Sequence, residues 1–178
     1  MTITRVVFSA ALIAAPLTAY AQTPNDAQIA AIVVTANQVD IDAGRLAETK
    51  ARNPQVKAFG KQMVTDHTGV NKQATDLVTK LGVKPEDNPT AQSLKSGGEA
   101  NVTQLKSLSG AAFDKAYVDH EVAYHQQVLD AVDKTLIPSA QNAELKALLV
   151  KVCPAFVAHL EHAKHVQATL EKSAGKKH

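Results

Sequence analysis

The stretch PQVKAFGKQMVTDHTGVNKQATDLVTKL, residues 54–81, decides the fold. Asn53 before it offers a side-chain oxygen to the first free amides of a helix, and Pro54 suits the first helical position, where no amide hydrogen is needed. Val56, Phe59, Met63, Val70, Ala74, Leu77 and Leu81 recur at intervals of three and four, the period of one buried helical face. Gly82 ends the pattern, as glycine does when it closes a helix C-terminus.

Working outward, the same period predicts a helix over about 28–50, a weaker one over about 90–108 interrupted by Gly97 and Gly98, and long ones over about 112–136 and 142–173. Ser109-Gly110 and a loop from Ile137 to Gln141 separate the later helices, and the basic residues 175–178 form a tail. Strand-like alternation is missing. The expected fold is all-α: an antiparallel four-helix bundle of ferritin-like topology, in which the segment after Gly82 and its short extra helix make the crossover. Pro154 removes one backbone hydrogen bond and predicts a kink or bulge in the last helix.

The N-terminus reads differently. Arg5 precedes an almost continuous apolar run from Val6 to Pro16, and Ala19-Tyr20-Ala21 supplies a small-x-small cleavage site. That order is a secretory signal peptide over 1–21, and the run is too short for a membrane-spanning helix of about 20 residues. The reading makes 22–174 a single helical domain in the periplasm. Cleavage after Ala21 removes Arg5 alone among charged residues, so the net charge falls from +2 to +1. A near-neutral chain with no Trp and 4% aromatic residues lacks the basic face and stacking platforms of a nucleic-acid binder. No later segment is apolar enough to span a membrane. One cysteine, Cys153, excludes an intramolecular disulfide and paired-thiol haem attachment; Val152, Pro154 and Phe156 around it predict burial. Without covalent attachment, a haem would need Met63 and a histidine as axial ligands.

Each apolar stripe carries one polar interruption: Asp40 in the first helix, His67 in the second, His125 in the third long helix and His159 in the last. Imidazole and carboxylate together are ordinary ligands for a divalent transition metal such as iron or zinc. At about 1.5 Å per residue, Asp40 and His67 lie ~18 and ~22 Å from the first turn. From the opposite turn His125 lies ~21 Å in, Glu121 ~27 Å and His159 ~30 Å, which predicts His159 level with Glu121 rather than with His125. The candidate ligands are therefore His67, His125, His159, Asp40 and Glu121. Asp66 is a candidate hydrogen-bond partner of an imidazole, and Tyr117 and Tyr124 lie beside the layer. Asp119, His120, Glu161, His162 and His165 fall on outer or flanking faces. The competing reading makes the same histidines structural core residues of a non-catalytic envelope stress or interaction protein, acting as a homo-oligomer or with an envelope partner. No nucleophile with a positioned base is present, so the sequence names no reaction.

Three motifs carry a resemblance. Phe59 to Asn71 with Met63-Val64-Thr65-Asp66-His67, then Leu108 to Tyr117 followed by His125, then Pro154 with His159-Leu160 together resemble the signature of the bacterial domain-of-unknown-function family 4142. The resemblance covers about Ala31 to Thr169. It implies an exported, ferritin-like protein without a settled activity, and it singles out Asp66, His67, His125 and His159. Where the family usually has Glu, this chain has Asp40 and Asp42. The chain also lacks, in its core stripes, the paired Glu-x-x-His of di-iron sites, so the expectation is one metal, or none, rather than two.

Overall fold

A computed structural model describes residues 23–175; the signal-peptide reading, with Ala19 and Ala21, and the last three residues of the basic tail lie outside them. The described residues form helices and connecting turns, with no strand among them. Helix α1 spans Asp26–Lys50, α2 Pro54–Lys80, α3 Pro89–Ser107, α4 Gly110–Ala131 and α5 Ala143–Gly175. None of these helices is long and apolar enough to cross a membrane.

The caps explain the boundaries. Asn25 accepts from the Gln28 amide at 2.8 Å while the Gln28 side chain accepts from the Asn25 amide at 3.1 Å, a reciprocal box that opens α1. Asn53 opens α2 and Asn88 opens α3, each followed by a proline. Gly82 and Gly110 take φ of +66° and +58°, left-handed conformations that residues with a Cβ adopt at a cost.

Two aspartates tie the helices end to end. Asp114, at the start of α4, accepts from the Arg52 and Asn53 amides, both at 2.9 Å, and so holds the α1–α2 turn. Asp26, at the start of α1, accepts from the Gln141 and Asn142 amides, both at 2.9 Å, and holds the α4–α5 turn. Helix α1 packs on α2, α3 and α4, and α5 packs on α4 and α2. Where α1 meets α2 the backbones touch through glycines: a Cβ on Gly60 would stand 2.6 Å from the Ala47 Cβ.

Some expectations need correction. The segment expected to loop from Ile137 is helical as far as Ser139: α4 runs on through a π-turn, Val132–Leu136, and a last α-turn, Ile137–Ser139. Pro138 lies inside that continuation and cannot donate a backbone hydrogen bond to it. Helix α5 is continuous through Pro154, without the bulge expected as one alternative there; the π-turn lies in the neighbouring helix. Cys153 is half-buried rather than buried, its thiol donating to the Leu149 carbonyl at 3.2 Å.

Apolar packing among the described residues forms three clusters. One joins Phe59, Met63, Phe113, Tyr117 and Val166; a second joins Ile29, Ile32, Val132, Leu145 and Leu149; a third joins Val70, Leu129, Val152, Phe156 and Leu160. Asp40 falls between the first two along α1, His67 between the first and third along α2, and His159 within the third.

Candidate metal centre

Asp40 comes from α1, His67 from α2, Glu121 and His125 from α4, and His159 from α5. All five are 2% exposed or less. The three imidazoles stand around one another, with ring centroids 5.2 to 5.6 Å apart, and His67 stacks on Phe156 at 5.3 Å. One ring nitrogen from each of His67, His125 and His159 lies within 4.8 Å of the others; Asp40, Glu121 and His125 form a second such group.

The hydrogen bonds fix which nitrogen of each ring carries the proton. Asn37 donates its amide to the Val33 carbonyl at 2.8 Å, which turns its oxygen toward His67 Nδ1 at 2.7 Å. His67 Nδ1 must therefore donate, and Nε2 keeps the lone pair. His125 Nδ1 lies 3.0 Å from the Glu121 carbonyl oxygen, an acceptor only, so Nε2 keeps the lone pair there too. His159 Nε2 lies 2.9 Å from the Asp66 carboxylate at the protein surface, which leaves Nδ1 free. Those three nitrogens, His67 Nε2, His125 Nε2 and His159 Nδ1, are the ones that lack a hydrogen-bond partner. Asp40 Oδ1, both Glu121 carboxyl oxygens and the Tyr117 hydroxyl are buried without partners as well.

Burial governs the protonation of the cluster. It pushes His67 down to about 2 and His125 down to about 4, with neighbouring imidazoles adding to the effect, and it lowers His159 against the pull of Asp66. It pushes Asp40 up to about 8. Glu121 rises well above the ordinary range, from burial first and then from Asp40 beside it, while the Tyr117 phenol pulls the other way. Near neutral pH the centre thus holds three neutral imidazoles and protonated carboxyls.

The structure brings together every candidate ligand named from the sequence, and it corrects the depths. His159 joins His67 and His125 instead of standing with Glu121. Helix α5 begins at Ala143, not at the turn residue from which the count started, which removes ~6 Å at 1.5 Å per residue. Side chains also lean toward their own helix N-terminus, so His159 on α5 and His125 on antiparallel α4 lean toward each other. Tyr124 donates to the Ala36 carbonyl at 3.1 Å and stacks on His120, while Tyr117 lies beside Glu121. His162 stays on the outer face, bonded to Gln62. Sequence reasoning missed Asn37, whose signal was available: it sits one turn before Asp40, a second polar residue beside the same stripe.

These features define an all-helical protein whose interior gathers histidines and carboxylates able to hold a metal ion. The chain matches the family described as Domain of unknown function (DUF4142) over residues 13–166 and belongs to it. No curated protein and no solved structure matches the chain.

Proposed function

We propose that this is an exported, periplasmic metal-binding protein, released by cleavage after Ala21 and built as a ferritin-like four-helix bundle with α3 in the crossover. In this reading His67, His125 and His159, with Asp40 and Glu121, hold one divalent transition metal of the zinc or iron class. The observation that carries it is the cluster of three buried imidazoles, each offering a ring nitrogen within 4.8 Å of the others and each with one nitrogen hydrogen-bonded and the other unpartnered. Such outer hydrogen bonds are what orient metal-binding histidines. An unpaired buried polar atom costs about 1–3 kcal/mol, and this cluster contains seven of them.

One ion fits better than two. His125 belongs to both ligand groups, yet it has one free nitrogen to give. Tetrahedral zinc with Zn–N near 2.0–2.1 Å places ligand nitrogens about 3.4 Å apart. Ring nitrogens already within 4.8 Å reach that spacing by small side-chain rotations. Three nitrogens with one or two carboxylates make a donor set in which a borderline metal is at home.

The test is the metal content of protein purified without a tag, beside His67→Ala and His125→Ala. The expected result is close to one ion per chain, lost in both variants. Metal-free protein that stays metal-free under added zinc or iron, with variants that merely unfold more easily, would instead make the histidines structural and the protein an envelope interaction factor.

A further inference from the structure

One cavity among the described residues is lined by two of the candidate metal ligands, Asp40 and His67. This cavity, of about 1190 Å³, begins among Pro24, Asn88, Pro89 and Pro138 and runs inward to Asp40 and His67. Its middle is walled by Ile32, Val128, Val132, Leu149, Val152 and Phe156. Packed interiors leave few voids larger than a water molecule, and small-molecule sites are typically ~300–1,000 Å³. The π-turn Val132–Leu136 contributes Val132, Lys134, Thr135 and Leu136 to the wall, and such turns widen a helix where a site needs room.

The geometry points to a binding site for a neutral, single-chain amphiphile, with its apolar chain along the cavity and a hydroxyl end against Asp40. The apolar middle selects the chain. The inner end selects the head: Asp40 is 2% exposed, its Oδ2 faces His67 at 3.6 Å, and its Oδ1 has no partner. A hydroxyl both donates and accepts, so it satisfies that oxygen in either protonation state. An anionic head is disfavoured there, because the charged lining residues are Asp40 and Lys134, and Lys134 is paired with Asp130 at 3.3 Å. The site goes beyond the metal reading and does not depend on it, since the apolar wall that selects the chain contains none of the candidate metal ligands.

The experiment titrates 1-decanol, and separately decanoate, into chelator-treated protein at pH 7 and follows binding by calorimetry. Expected is saturable one-to-one binding of the alcohol, at least tenfold weaker binding of decanoate, and at least tenfold loss of alcohol binding in Val132→Phe, which fills the cavity. Leu94→Phe, on the α3 side of the cavity, serves if the first variant does not fold. Absence of saturable alcohol binding, wild-type affinity in a folded cavity-filling variant, or decanoate binding as tightly as decanol would overturn the proposal. Metal content of the same variants stays at the wild-type level if only the cavity has changed, which separates failure here from failure of the metal reading.

Discussion

Asn37 shows how much a single residue controls in this interior. It touches no second helix's ligand except His67, yet it decides which His67 nitrogen is free, because its amide is committed to the Val33 carbonyl. Replacing it by Leu keeps the branched shape and removes the acceptor. The His67 ring then loses its fixed tautomer and orientation, and partners of this kind are worth 10–100-fold in metal affinity. Asn37→Leu is expected to weaken zinc or iron binding by about that factor while the far-ultraviolet circular dichroism stays helical. Competition against a chromophoric chelator measures it; an unchanged affinity would remove Asn37 from the centre. Asp66 on α2 is the parallel case, anchoring His159 of α5 from a partly exposed position at 2.9 Å. Solvent competes there, so its substitution is expected to cost less than that of Asn37.

At the scale of the element, the level at which α1 meets α2 sets whether Asp40 and His67 face each other. The two helices approach through Gly44 and Gly60, where a Cβ on Gly44 would lie 2.8 Å from the Gly60 carbonyl oxygen and one on Gly60 2.6 Å from the Ala47 Cβ. Backbone and a methyl stem cannot give way as a long side chain can. Gly60→Ala is therefore expected to push the helices apart and destabilise by about 1–3 kcal/mol, the usual cost of overpacking, despite alanine's better helix propensity. Gly69→Ala on the same helix meets open space and should be neutral or stabilising, which isolates the packing effect. Chemical denaturation of the two variants side by side reads the difference. These helices were legible because their stripes repeat at three and four, and because Asn53-Pro54 and Gly82 mark the ends of α2. The five candidate ligands were legible for the same reason: a charged or imidazole residue inside an apolar stripe stands out. What stayed hidden depends on where one helix lies against another. The π-turn after Ala131 and the meeting of His159 with His125 have no local signature, since each follows from how α4 and α5 are drawn together. The cavity was equally invisible, because a missing volume is a property of several helices and of no one stretch of sequence.

For the whole molecule, the buried centre couples folding to pH in two opposing directions. The histidines are held below their ordinary value of 6.5, so their contribution is complete above that pH and is lost as the solution becomes more acid. Asp40 is raised from 3.8 to about 8 and Glu121 is raised too, so the carboxyls contribute fully at low pH and lose that contribution as pH rises toward 8. Between about pH 4 and 6.5 the two slopes oppose each other; above 6.5 the unfolded histidines are already neutral and only the carboxyls act. Metal-free protein is therefore expected to lose stability between pH 6.5 and 8, at a rate on the order of 1.4 kcal/mol per pH unit for each proton retained by the fold. Asp40→Asn, which has no proton to lose, should flatten that limb. Under the metal reading an ion takes the place of those protons, so its affinity rises over the same interval and reverses the trend. Melting curves of chelated and metal-loaded protein at pH 6.5 and 8 test both statements: a falling Tm without metal and a level or rising one with it are expected. A metal-free Tm that is flat across the interval in wild-type protein would mean that Asp40 and Glu121 are not held protonated by the fold.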